Sequence, residues 1–300
     1  MSSDKDFFAE FSAAGNTFTG VPPVFIGKCS LIFNGFDCVV QLGRNVTFEN
    51  VIIEMPEGGA SLIVGDNVKL NGLIKIASNS SVQVGEDTVF DRRSELSAWE
   101  GADIKIGKSC VCSNVEISTS DRHSIIDLIS GERVNPAEST VVEDSVWLSD
   151  GVVLQKGVTV GMGSIVGARS VVASSVPRYT SVSGAPAQIT MRRISWQRNL
   201  VPLASLEASP MPQVLASKEE MAQMIKAGDS AGLIFDIDMF LKSTDMEFES
   251  LDGYAQFYYA RCQYLCGNFS AARDILQVFV YQQPQHKVAI ELLAKIPAGV

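Results

Sequence analysis

The chain has 300 residues, a formal net charge of −10 and only two histidines, His123 and His286. Its 46% hydrophobic content supports a real core, while 19% charged residues and 24 glycines argue against both disorder and a coiled coil. An acidic chain of pI 4.8 is a poor general binder of nucleic acid or anionic membrane, and two distant histidines cannot build a three-histidine metal site. No apolar run approaches the ~20 residues of a membrane span, and the start MSSDKDFFAEF is acidic where a signal peptide is basic, so no membrane span, no metal and a cytoplasmic location are expected.

Residues 1–34 carry no repeat and are taken as an N-terminal segment. From residue 35 a pattern emerges: LGRNVTF from Leu42, VGDNVKL from Val64, VGEDTVF from Val84 and IGKSCVC from Ile106, spaced by 22, 20 and 22 residues. A gap of 36 residues then leads to Val142, implying an inserted loop at about 118–141. Residues 142–177 divide into six hexads: VEDSVW, LSDGVV, LQKGVT, VGMGSI, VGARSV and VASSVP. Their first positions are Val142, Leu148, Leu154, Val160, Val166 and Val172, and their fifth positions are all small or β-branched. Neither a helix nor an alternating strand has a six-residue period. A triangular β-solenoid does, with each hexad forming one flat side, its first residue turned inward, and three hexads closing a coil. The six cysteines have no CxxC spacing and read as reduced, apolar side chains.

The pattern ends near residue 195. Residues 196–216 contain three prolines and read as a linker, and residues 217–300 are helical in period, with helices expected at about 218–226, 230–242 and 286–296. Ala260, Gly267, Phe269, Ala272, Leu276 and Pro284 are spaced in a way that resembles a tetratricopeptide helical hairpin. The helical part is a candidate docking surface for a protein partner.

The hexads, followed by Ser183-Gly184-Ala185-Pro186-Ala187 and the basic pair Arg192-Arg193, resemble the left-handed parallel β-helix (hexapeptide-repeat) acyltransferases. The stretch SDRHSIIDLISGERVNPAESTVVEDSVWLSDGVVL is similar to the branch that O-acetylates bacterial capsular and exopolysaccharides, including sialic acid capsules. This resemblance covers roughly residues 35–195. It implies the left hand of the helix, acetyl-CoA as co-substrate, a glycan acceptor, and a homotrimer with its active sites between neighbours.

In a repetitive wall the insertion is where chemistry can be grafted. It contains His123, and an imidazole suits removal of a hydroxyl proton near neutral pH; the resemblance places the catalytic base at this residue. Asp121 and Asp127 are candidates to orient the ring, although a backbone carbonyl would serve equally and Asp121 could instead turn its own loop. Trp147 should point outward beside the insertion, where it either covers the loop root or, as the resemblance implies, packs on the pantetheine arm or the imidazole.

Residues 151–206 contain no acid and six basic residues, so the rest of the chain carries −16. A basic strip of this kind suits a polyphosphate. Lys156, Arg178 and Arg192 or Arg193 are the expected contacts to the coenzyme A nucleotide, with Gly151 and Ala168 allowing close approach of the pantetheine and Pro186 lying in the same region. Direct attack needs no acyl-enzyme, since neither Cys110 nor Cys112 has a base beside it in sequence. Two other readings remain at this point: a non-catalytic trimeric scaffold that recruits partners through its helices, and an acetyltransferase acting on a small molecule.

Overall fold

The computed structural model describes residues 8–200 and 215–297, except residues 227, 229 and 245. It divides into two compact units, 1–196 and 197–300.

The first unit is a parallel β-solenoid. One side is a seven-stranded sheet of Thr17–Gly20, Val39–Leu42, Ser61–Val64, Ser81–Val84, Ile104–Ile106, Thr140–Val142 and Thr159–Val160. A fourteen-stranded sheet forms the other two sides, because Thr47–Met55 and Lys69–Ile76 each run round a corner. Gly20, Leu42, Val64, Val84, Ile106, Val142 and Val160 lie in register on the first side. Leu148 pairs with Val166 on the second side, and Leu154 with Val172 on the third. The three hexads of one coil therefore occupy three sides, and the next three stack directly above them. All six first positions are buried, as are Val146, Val152, Val158, Ser164, Ser170 and Val176 at the fifth. Each buried Val or Leu contributes about 1.5–3 kcal/mol relative to exposure. The expected mainly β solenoid with a small α-helical unit is present.

The corners follow from residue type. One corner of successive coils is held in left-handed backbone by Asn45, Asn67 and Asp87, at φ of 58°, 58° and 60°. Short amide and carboxylate side chains tolerate that region, and here they also stack, since Asn45 Nδ2 donates to Asn67 Oδ1 and Asn67 Nδ2 to Asp87 Oδ1.

The solenoid starts earlier than its repeat signature. Thr17–Gly20 pairs with Val39–Leu42, and both Val24–Ile26 and Ser30–Phe33 pair with Thr47–Met55, so much of the segment assigned to 1–34 is a first coil. Aromatics hide its pattern. Helix α1 (Ala9–Ala13) closes the end, with Phe11 fully buried edge-on to Phe33 and Phe8 stacked on Phe18 at 3.9 Å. The other end is closed by an antiparallel hairpin, Thr180–Gly184 with Ala187–Arg192.

The second unit contains α2 (Lys218–Lys226), α3 (Ser230–Thr244), α4 (Gly253–Leu265), α5 (Phe269–Gln282) and α6 (Lys287–Ala294). Asp252 caps α4 by accepting from Ala255 N, and Gly267, at φ 81°, makes the α4–α5 turn. Ala260, Ala272 and Leu276 are buried between these helices. His286 caps α6, its Nδ1 accepting from Ala289 N at 3.2 Å, and packs against Phe257 and Phe279. It is a structural histidine. Most of the expected linker, 201–214, lies outside the described residues. Among the described residues no helix is long and apolar enough to cross a membrane.

Candidate active site

The insertion occupies residues 119–139, between Glu116–Ser118 on the third side and Thr140–Val142 on the first. Its outer half is a hairpin in which Ile126 bridges Arg133, Val134 N donates to Ile125 O, and Asp127 N donates to Glu132 O. Leu128 and Ile129 at its tip are 96% and 98% exposed.

Asp127 belongs to that hairpin. Its Oδ1 accepts from Ile129 N at 2.9 Å and Ser130 N at 2.7 Å, and the Ser130 and Ile129 N–H groups hold its carboxyl below the usual range. Asp121 is engaged by Lys156 Nζ at 2.6 Å and by Asn135 Nδ2 at 2.7 Å, which lower its pKa in that order. Within one chain neither carboxylate is hydrogen-bonded to the imidazole. Each carboxylate is instead held by other partners, Asp121 through its Oδ2 and Asp127 through its Oδ1.

His123 itself is exposed, and its ring makes no hydrogen bond among the described residues. What is fixed is its backbone. Its carbonyl accepts from Asn135 Nδ2 at 2.8 Å. The preceding Arg122 sits at φ 56°, an unfavourable region for a long side chain. Arg122 N donates to Ser120 Oγ at 3.0 Å, and its guanidinium lies 5.8 Å from the centre of the Trp99 ring.

Arg133 anchors the other strand of the hairpin. It forms two hydrogen bonds to Glu100, at 2.6 and 3.0 Å, while Ser120 Oγ also donates to Glu100. Arg133, then Ser120, pulls the Glu100 carboxyl down to about 2. Lys156 completes the frame by donating to Pro136 O at 3.0 Å as well as to Asp121. Glu100, Ser120, Arg133 and Asn135 were not singled out from sequence. Such polar side chains in a loop carry no periodic signal, and their roles depend on coils 20 and 33 residues apart meeting.

The basic strip is less free than its sequence suggests. Lys156 is neutralised by Asp121, and Arg178 is fixed by two hydrogen bonds to Glu143, at 2.8 and 3.1 Å. Both acids lie outside 151–206, so a count along the chain could not find them. Two of the expected phosphate contacts are thus occupied within the chain. Gly151, at φ 74°, lies beside Arg169, whose Cγ would be 3.4 Å from an added Cβ, and Ala168 is exposed at the adjoining turn. No ion pair holds Arg169 among the described residues. Arg192 ends the closing hairpin opposite Thr180, Arg193 follows at φ 60°, and Pro186 is exposed in its turn.

Trp147 does point outward, on the second side and 39% exposed. Its ring centroid is 5.9 Å from that of Trp196, whose Nε1 donates to Ser145 O at 2.6 Å. Trp196, expected to open the linker, is the last residue of the solenoid unit. No contact joins Trp147 to His123 within one chain among the described residues. Cys112 is fully buried, which pushes its thiol well up, and Cys110 Sγ donates to Glu143 O at 3.1 Å. Among the described residues no group of three or more His, Cys, Asp or Glu could hold a metal ion.

Fold and site together define a hexapeptide-repeat β-solenoid whose one large insertion presents an exposed histidine. No family model matches the chain. Its curated relatives include polysialic acid O-acetyltransferases: that of Neisseria meningitidis is 30% identical over 111 residues, 36% of this chain and 51% of the relative. That of Escherichia coli O1:K1 is 35% identical over 133 residues, 44% of this chain and 43% of the relative. The matched stretch thus spans about half the length of these relatives. Among solved structures, the polysialic-acid-specific acetyltransferase NeuO superposes with a TM-score of 0.57 at 26% identity, covering 65% of this chain and 82% of that one. The polysialic acid O-acetyltransferase OatWY shares the fold, with a TM-score of 0.50 at 22% identity over 64% of this chain and 94% of that one. The expected hexapeptide-repeat solenoid is present, and the relatives named here are O-acetyltransferases.

Proposed function

We propose that the chain transfers the acetyl group of acetyl-CoA to a hydroxyl of a bacterial surface polysaccharide or its sugar precursor, with polysialic acid the first acceptor to test. The observation that carries this reading is the single exposed histidine on the insertion of a solenoid related to two polysialic acid O-acetyltransferases. His123 takes the proton as the acceptor oxygen attacks the thioester carbonyl. Backbone N–H groups near a coil corner would hold the developing oxyanion, and the coenzyme thiolate leaves and recovers the proton. The buried Cys112 and the carbonyl-bound Cys110 supply no nucleophile, which favours direct transfer. The test is acetyl transfer from acetyl-CoA to polysialic acid, other capsular glycans and free sugars. Absence of transfer to every glycan, with turnover on small alcohols, would replace the acceptor class.

Acetyl-CoA fits the corner where Gly151 and Ala168 leave room for a narrow pantetheine and Arg169 offers a cation to phosphate. Arg169 joins Arg192 and Arg193 as a nucleotide contact, and Lys156 is reassigned to the insertion. Arg169→Ala should raise KM for acetyl-CoA about three- to tenfold with kcat little changed, the cost of one exposed phosphate contact. Lys156→Ala should do the reverse, lowering kcat by releasing Asp121. Steady-state kinetics with acetyl-CoA varied would separate the two, and a common KM effect would restore Lys156 to the nucleotide site.

The same reading includes assembly with further copies, expected as a trimer. Leu128 and Ile129 support it, since two fully exposed neighbouring aliphatics on a projecting hairpin are costly without a partner. Replacing both by Ser should lower the molar mass measured by sedimentation. An unchanged mass would move the interface elsewhere.

A further inference from the structure

We propose that Asn135 is the positioning residue of this site, a buried amide that ties together the Asp121 carboxylate, the His123 carbonyl and the Ile125 N–H on either side of the imidazole. The proposal rests on the reading of His123 as the base. Asn135 is only 6% exposed, although it lies in a loop whose other residues are mostly open to solvent. Its side chain is fully used. Nδ2 donates to Asp121 Oδ2 at 2.7 Å and to His123 O at 2.8 Å, while Oδ1 accepts from Ile125 N at 2.8 Å and from Arg133 Nε at 3.2 Å.

One planar group thereby grips residues 121, 123 and 125, while the imidazole itself makes no hydrogen bond among the described residues. Two donors and a double acceptor are the complete inventory of a primary amide, and no other side chain of this length has it. The staple is itself braced. Arg133 also binds Glu100 on an earlier coil, and Asp121 also binds Lys156 on a later one. The insertion is thus tied to the solenoid above and below the histidine, as an imidazole base requires if its ring is to meet a hydroxyl at bonding distance.

Asn135→Asp removes the donor half and puts a negative charge in its place. Its first oxygen still accepts from Ile125 and Arg133, but its second would face the Asp121 carboxylate and the His123 carbonyl, repelling both. We expect kcat to fall about 10- to 100-fold with KM for acetyl-CoA within about twofold, the pattern of a misplaced catalytic group. Asn135→Ala should fall at least as far.

A second readout does not need turnover. The chain has only two histidines, so protein labelled with ¹³C-histidine gives two ring signals, assigned through His123→Ala. In Asn135→Asp the His123 signal should shift or split while that of His286, held in its helix cap, stays in place. An unmoved His123 signal would overturn the proposal, as would kcat within twofold of the unsubstituted protein. A kcat loss that merely follows a lowered melting temperature, with His123 unmoved, would make Asn135 a folding residue and also overturn it. Full activity in His123→Ala would instead overturn the general-base reading, and the ring signals would still report whether Asn135 holds the loop.

Discussion

Replacing His123 with Ala should lower kcat for acetyl transfer by about 10²–10⁴-fold, the usual contribution of a positioned general base. KM for acetyl-CoA should stay within about threefold, because the residues assigned to the coenzyme lie elsewhere on the solenoid. The solenoid should melt at an unchanged temperature, since the ring is exposed and makes no hydrogen bond among the described residues. The pH dependence of kcat supplies a second test. Pairing with Arg133 and Ser120 depresses Glu100 to about 2, and Lys156 and Asn135 lower Asp121. A depressed carboxylate stabilises its contacts above its ordinary pKa and loses that contribution only as pH falls through the lowered value. The Glu100 and Asp121 carboxylates therefore stay ionised from about pH 5 to pH 8, the range in which imidazole alone of the ordinary side chains titrates. A fall in kcat on acidification within that range belongs to the base and should vanish from the residual activity of His123→Ala. Activity of this variant within tenfold of the unsubstituted protein would end the general-base scheme.

The position of His123 was legible because a break in a strict repeat is itself a signal. Its surroundings were not. Lys156 shows why: along the chain it belongs to a run without acids, and that run reads as a phosphate clamp. Folding places it one coil above Asp121, 35 residues earlier, and the two form an ion pair. Arg178 and Glu143 repeat the lesson at the same separation. In a solenoid, residues about one coil apart are neighbours, so charge has to be summed across coils rather than along them. The insertion makes even that rule fail, since it stretches the separation by its own length. Asn135 gave no signal, being one of several polar residues in a loop. Trp196 was missed for a different reason, since it follows the last hexad and only the structure shows it packed on Trp147.

Gly85→Ala should be among the most damaging single substitutions in the solenoid, although it adds one methyl group. Gly43, Gly65, Gly85 and Gly107 each follow the inward aliphatic residue of a coil and stack in register. An added Cβ at Gly85 would lie 2.6 Å from the carbonyl carbon of Gly107 and 2.8 Å from both its oxygen and Lys108 N. These are backbone atoms of the next coil, fixed by the parallel ladder, so no side chain can swing aside. The glycines were visible in all four upstream units, as in VGDNVKL and VGEDTVF, but the hexad reading gave meaning only to the aliphatic and small positions beside them. The missing reason is the close approach of one coil to the next, a distance that no single repeat contains. Because each coil touches only its neighbours, the clash falls in the middle of the stack and separates the coils on either side. A cost of about 3 kcal/mol is expected, the upper end for overpacking, which would lower the melting temperature by roughly 6–12 °C for a unit of this size. Gly101→Ala is the control. Gly101 adopts φ 75° but has nothing within 4 Å of an added Cβ, so it carries only the cost of left-handed backbone, about 1–2 kcal/mol. Calorimetry of the two variants should rank Gly85→Ala well below Gly101→Ala. Equal melting temperatures would mean that coil spacing yields to a methyl group, and that the glycine ladder serves the turns rather than the stacking.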